Sequence, residues 1–275
     1  MSKLPEPIND GLLIPEVAEH SKYKHHFIRR YIDAFTTSMK NKWAGLHYVD
    51  LFAGAGIEKL RNSDRLDWGS PMIAAQTRFP FTKIHLCESN NQKYEALKNR
   101  INHIRSDSQI LCGDAKEKIC DIVDDIPDGT LSLAFLAPYG LHMEMRTLEI
   151  LAKKRTDLII FFPDRLDALR NWEAYYLENP ESNLDHCLGT GVNWRSKLKH
   201  LPPDKHAEEL RNIYIDEIRN KLGYTHFDFE RITTVMGQPI YYLIFCSHNE
   251  IATKIWRKIA SKKPDGQRTF NFDLD

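Results

Sequence analysis

Asp50-Leu51-Phe52-Ala53-Gly54-Ala55-Gly56 closes an apolar run and sets two glycines at GxG spacing. Lacking a Cβ, glycine lets backbone pass close to a bound molecule, and the loop after the first strand of a parallel sheet is where that approach is needed. A second apolar run ends at Cys87-Glu88, where a carboxylate can accept hydrogen bonds from both hydroxyls of a ribose. A third ends at Gly113-Asp114, where a carboxylate or its neighbouring backbone can meet the amino group of an adenine. Each of these has a plain structural alternative: a tight turn at the glycines, a solvated strand end at Glu88, a helix N-cap at Asp114. Three polar groups at the carboxyl ends of three consecutive strands nevertheless define a single crevice at the switch point of a sheet.

Setting those segments side by side requires a particular run of elements. Strand-like runs at His47 to Phe52, Lys83 to Cys87, Gln109 to Cys112, Leu131 to Leu136 and Leu158 to Phe162 alternate with helices. The helices are expected at Ser70-Pro71, near Asn90, after Asp114 and near Met143, with Ser70 as N-cap and Pro71 as the first helical residue. Asn90 or Ser89 caps the second of them, whose apolar face is Tyr94, Leu97, Ile101 and Ile104. Successive βα steps of this kind predict an α/β fold, doubly wound and mostly parallel.

Upstream, Pro15 is placed to open a helix with Tyr23, Phe27, Ile28, Tyr31, Ile32 and Phe35 on one face and Lys22, Lys24, His25, His26, Arg29 and Arg30 on the other. From Asp164 to about Gly223 the pattern turns to long helical stretches containing Trp172, Tyr175, Tyr176 and Trp194. Strand signals then resume: Phe227 to Val235 and Ile240 to Cys246 flank Met236-Gly237-Gln238-Pro239 as an antiparallel hairpin, and a last helix covers Glu250 to Ser261. The expected organisation is an N-terminal helical segment (1–45), a core (46–163 and 224–262) and a helical insertion or lid (164–223).

Composition narrows the classes. Lys plus Arg and Asp plus Glu number 38 each in 275 residues, so no global field draws the protein to nucleic acid or to an acidic membrane, and any polyanion site must be local. Cys87, Cys112, Cys120, Cys187 and Cys246 form no CxxC pair, a pattern suited to buried thiols in a reducing cytoplasm. His25 and His26 are adjacent rather than at metal-ligand helical spacing, and His20, His142, His186 and His248 have no partners readable from sequence, so no metal is expected. No apolar stretch has the length of a signal peptide or membrane span.

With these motifs in hand, DLFAGAG at Asp50, GSP at Gly69, CES at Cys87, GDA at Gly113, PYG at Pro138 and YYLIFCS at Tyr241 resemble the three-Cys-motif partner family, a branch of the class I methyltransferase-like proteins. The resemblance runs from about Lys22 to Trp256. It implies a Rossmann-like methyltransferase fold, S-adenosylmethionine as cofactor, and a partner bearing three cysteines of the radical S-adenosylmethionine kind. By that similarity Asp50, Phe52, Ala53, Gly54 and Gly56, with Ser70, bracket the methionine part, Glu88 the ribose and Asp114 the adenine. The stretch between Gly56 and Ser70, with Glu58, Lys59, Arg61, Arg65, Asp67 and Trp68, is an addition to the pattern, either a surface loop or a cover for cofactor or substrate. Lys59 also stands where the GxGxxG pattern of nicotinamide enzymes needs Gly or Ala, which disfavours that alternative.

At the end of the fourth strand the chain reads Phe135-Leu136-Ala137-Pro138-Tyr139-Gly140. The family pattern has Asp at the position of Ala137, where an oxygen grips the attacking group. Its loss costs on the order of 10² to 10⁴ in rate if it acts as base or positioner. Three alternatives stand: an introduced alanine, a natural cofactor binder without turnover, or an acceptor supplied from elsewhere. Pro138 and Tyr139 complete the catalytic segment, with Tyr139 stacking on a substrate ring or packing in the core. A nucleic-acid substrate, with phosphate contacts from the basic face of the first helix or from Arg170, Arg195, Lys197 and Lys199, fits this segment; a solvated charged face is the plain alternative.

Overall fold

A run such as Leu131–Leu136, apolar on both alternating sets of positions, suits a strand covered on two faces. The computed structural model, which describes residues 6–19, 21–163, 176–233 and 239–261, places that run inside a seven-stranded sheet. The elements are β1 (Glu16–Val17), α1 (Ser21–Met39), β2 (Leu46–Asp50), β3 (Ile57–Leu60), β4 (Leu66–Trp68), α2 (Ser70–Ala75), β5 (Lys83–Glu88), α3 (Asn91–Asn102), β6 (Gln109–Cys112) and α4 (Ala115–Asp124). They continue with β7 (Leu131–Leu136), α5 (Met145–Leu151), β8 (Thr156–Phe162), α6 (Asn183–Leu188), α7 (Trp194–Lys199), α8 (His206–Leu222), β9 (His226–Thr233), β10 (Pro239–Ser247) and α9 (Glu250–Ala260).

The strand order is β6-β5-β2-β7-β8-β10-β9. β6, β5, β2, β7 and β8 pair in parallel, while β10 is antiparallel to both β8 and β9. β9 therefore points the same way as the others, and β10 alone of the seven is reversed. The expected terminal hairpin is present; the connection that includes Met236, Gly237 and Gln238 lies outside the described residues, as do His20, Arg170, Trp172 and Tyr175. Because the chain winds outward from β2 to β6 and then returns to β7, the switch point lies between β2 and β7.

Helices cover both faces. On one, Ile119 of α4, Leu148 and Leu151 of α5, and Leu210 and Tyr214 of α8 share a core with Val49, Ala134 and Ile160. On the other, Tyr31 of α1, Ile73 of α2, Leu97 of α3 and Trp256 of α9 pack with Tyr48, Leu133 and Phe245. The described part of the insertion belongs to the first layer: Leu184, Trp194 and Leu198 join that core, fastened by Asp185, which takes hydrogen bonds from Trp194 (2.8 Å) and Arg195 (2.6 Å).

Two local expectations are corrected. Pro15 does not open a helix: its carbonyl accepts the Lys59 N–H (2.9 Å), and the next two residues form β1 alongside β3, so α1 begins at Ser21. Ser70 is not the N-cap of α2. Gly69 holds that position, and the Ser70 hydroxyl is diverted to the carboxylate of Asp50. The added stretch after Gly56 folds as the β3–β4 hairpin, which with β1 makes a separate three-stranded sheet.

Candidate cofactor-binding site

At the carboxyl ends of β2, β5, β6 and β7 lies a cavity of about 330 Å³. Its walls include Phe52, Glu88, Asp114 and Tyr139, four of the residues singled out from sequence, each delivered by a different strand end. Glu88 is 6% exposed and doubly anchored: one carboxylate oxygen accepts the Gly54 N–H and the other the Asn90 N–H, both at 2.8 Å. A carboxylate offers about four lone-pair sites, so one on each oxygen remains for a diol. Asp114 caps α4 by accepting the Lys116 N–H (3.0 Å), and its second oxygen is uncommitted. The N-cap and cavity-wall readings of Asp114 therefore hold together.

The loop that carries Phe52 is tied on three sides. Ala53 N–H bonds to the Cys87 carbonyl (3.0 Å), Gly54 to Glu88, and the Ala55 carbonyl accepts a hydrogen bond from Arg100 (2.6 Å). Gly54 has φ +68° and open space where a Cβ would stand. Gly56, at φ +88°, packs instead against Met72, whose Cγ would lie 3.0 Å from an added Cβ.

Asp50 and Ser70 sit beneath this loop rather than on the cavity wall. The Ser70 hydroxyl donates to Asp50 Oδ2 (2.6 Å), Tyr48 donates to the same oxygen (3.3 Å), and the Phe52 N–H donates to Oδ1 (3.2 Å). Asp50 is fully buried; burial pushes its carboxyl up to about 6 against the opposing effect of those donors. Ala53 is likewise turned inward.

Ala137 is half-buried against the apolar core on the α1 side of the sheet, Pro138 is buried, and Tyr139 is 68% exposed with the Lys93 ammonium 5.0 Å from its ring centre. Tyr139 is therefore not a core residue. Sequence reasoning missed the far wall, formed by Leu141, His142 and Glu144 after β7 and by Asn183 and His186 of α6. Asn183 and His142 lie 3.3 Å apart, Nδ2 to Nδ1. Nothing local signals this pairing across 41 residues; only the anticipated lid-like insertion hinted at it.

No family model and no curated protein matches the chain. Solved structures do. Protein LPL1258 from Legionella pneumophila superposes with a TM-score of 0.55 at 9% identity, over 90% of this chain and 95% of that one. The O-methyltransferase TomG from Streptomyces achromogenes, solved with S-adenosylmethionine, gives 0.48 at 9% identity over 82% and 80%. An O-methyltransferase from Bacillus cereus in complex with SAH gives 0.47 at 8% over 80% and 80%. The strand order, the single reversed strand and the helices on both faces make this a doubly wound, Rossmann-like class I methyltransferase fold.

Proposed function

We propose that the chain is an S-adenosylmethionine-dependent methyltransferase. The observation that carries this reading is the convergence of Phe52, Glu88, Asp114 and Tyr139 on one cavity at the switch point. The residues fit the cofactor: a buried carboxylate with free lone pairs for the ribose, a second carboxylate beside the Gly113–Asp114 backbone for the adenine, and open space over Gly54 for chain atoms. Bound there, the cofactor would supply a methyl group on a cationic sulfur, open to direct displacement. The protein's own part is alignment: the backbone anchors on Glu88 hold the loop, Tyr139 orients a planar substrate, and α6 screens the cavity from water. The test is calorimetric titration of the full chain with S-adenosylmethionine and, separately, with a nicotinamide dinucleotide. Selective binding of the first is expected; binding of neither defeats the reading.

The acceptor we assign is a nucleic acid or modified base, which the exposed ring of Tyr139 supports through base stacking. Resemblance of the six motifs supports a three-Cys-motif, radical S-adenosylmethionine-type partner, and the free thiols of Cys87, Cys187 and Cys246 support a cytoplasmic setting. A second reading, a cofactor-binding scaffold for that partner, is favoured by Ala137, whose methyl group gives an attacking amine no side-chain acceptor. Ala137→Asp separates the two. Transfer of a labelled methyl group to bulk RNA or DNA is expected to rise by on the order of 10² to 10⁴ if the chain is an enzyme weakened at this position. No transfer by either form makes the scaffold the better account.

A further inference from the structure

The β3–β4 hairpin and the start of α1 enclose a second cavity of about 430 Å³, separate from the first. Lys22, His25, His26 and Arg29 line it from the helix, and Arg65 and Asp67 from the hairpin, with Tyr23 in the wall. In a chain whose charges balance overall, five basic side chains against one carboxylate is a concentrated local excess. That carboxylate is already engaged. Asp67 Oδ2 lies 3.9 Å from His25 Nδ1, and Asp67 Oδ1 accepts the Trp68 N–H (3.0 Å). Burial alone would raise Asp67, yet His25, Trp68 and the nearby Arg29 hold it below the usual carboxylate value.

The two arginines are left without close partners. Neither the Arg29 nor the Arg65 guanidinium makes a hydrogen bond or ion pair with any described residue, and Lys22 has only an exposed contact with Glu19 at 3.8 Å. His25, 3% exposed, holds the two elements together between Glu58 (3.5 Å) and Asp67, so the arginines face one hollow from opposite sides. Two guanidiniums so placed repel one another, and a tetrahedral oxyanion that accepts from both relieves the repulsion; their fork geometry suits phosphate. The hollow also adjoins the reaction side of the sheet. The hairpin leaves the cofactor loop at Gly56 and returns at Gly69, and Lys24 of α1 stands close enough to Asp50 to favour its ionised form.

We propose that this hollow binds a phosphodiester of a single nucleic-acid strand, gripped by Arg29 and Arg65 with Lys22 and His26 in support, and flanked by Tyr23 for stacking. The strand as occupant rests on the nucleic-acid reading above, and the experiment keeps the two separable. Labelled single-stranded RNA and DNA of about 20 nucleotides and mixed sequence are titrated with the full chain by fluorescence anisotropy, between about 50 and 200 mM salt. The double variant Arg29→Gln/Arg65→Gln is expected to bind at least about tenfold more weakly. Its slope of log affinity against log salt should be shallower by about 1.4, at about 0.7 per lost phosphate contact. Its melting temperature and its calorimetric titration with S-adenosylmethionine should match the wild type, and Arg61→Gln, on the same hairpin but outside the hollow, should bind the strand normally. Equal affinity and slope in the double variant, or no strand binding by the wild type, overturns the proposal whether or not S-adenosylmethionine binds. Inorganic phosphate or a mononucleotide that binds as tightly as the strand and is lost in the double variant overturns the strand as occupant.

Discussion

Glu88 closes the cofactor loop with two backbone bonds while presenting its remaining lone pairs to the cavity. Glu88→Ala is therefore expected to weaken S-adenosylmethionine binding by about 1 to 3 kcal/mol in calorimetry, and Glu88→Gln by less, since it keeps an acceptor but loses the charge. An unchanged affinity would remove Glu88 from the site. Below the sheet's other end, His47 Nδ1 and His85 Nε2 lie 2.9 Å apart, and His85 Nδ1 meets Gln109 at 2.9 Å. Burial, then the neighbouring His85, pushes His47 down to about 4, and burial lowers His85 as well. A folded-state value below the unfolded one of about 6.5 means that the unfolded chain binds protons first, so this stability is present above about pH 6.5 and is lost as pH falls towards 4. Asp50 and Asp157, both pushed up to about 6 by burial, act in the opposite sense, losing their contribution as pH rises through about 6. Urea unfolding of His47→Gln against wild type should thus show a stability difference that varies with pH between about 6.5 and 4 and is flat above. Glu88 and Asp114 were legible because strand ends announce themselves; His142, Asn183 and His186 were not, because a contact between a loop and a distant helix leaves no period in the chain.

Among the elements, α3 does more than cover the sheet. Its Arg100, 3% exposed, binds both oxygens of Asp10 at 2.7 Å, the Leu13 carbonyl at 3.0 Å and the Ala55 carbonyl at 2.6 Å. One side chain thus ties the N-terminal segment to the loop over which the cofactor would lie. Arg100→Ala is expected to cost about 2 to 4 kcal/mol in urea unfolding, somewhat under the range for a fully enclosed ion pair because Asp10 is partly exposed. It should also loosen S-adenosylmethionine binding by freeing Ala55. The central strands and the caps at Asn90 and Asp114 were readable, since alternation, length and capping chemistry agreed there. The start of α2 and the N-terminal segment were misread for one reason: Ser70 and Pro15 carry strong local helix signals, but each has a distant partner, Asp50 and Lys59. Tertiary bonds outrank local preference when the group they satisfy is buried.

For the molecule as a whole, two apolar layers on opposite faces of one sheet imply that neither face can be lost without the other. Trp256 of α9 is fully buried, stacked on Phe245 of β10 with ring centres 5.1 Å apart and edge-on to Tyr31 of α1 at 5.6 Å. Trp256→Ala is expected to cost about 3 to 5 kcal/mol and to lower the melting temperature in one cooperative step, measured by circular dichroism. The layered plan was legible because five strand-like runs alternated with helices. The small β1–β3–β4 sheet was not, since its strands are too short and charged to stand out from a loop. That small sheet has one more property. The Gly69 N–H donates to the Gly56 carbonyl at 2.8 Å, so the chain that leaves the main body there comes back to the point of departure. An excursion with touching feet can vary in length and content while the framework on either side keeps its geometry. Gly56 and Gly69 thus mark a natural graft point, at which relatives can diverge and a designer can exchange one recognition module for another without rebuilding the enzyme beneath.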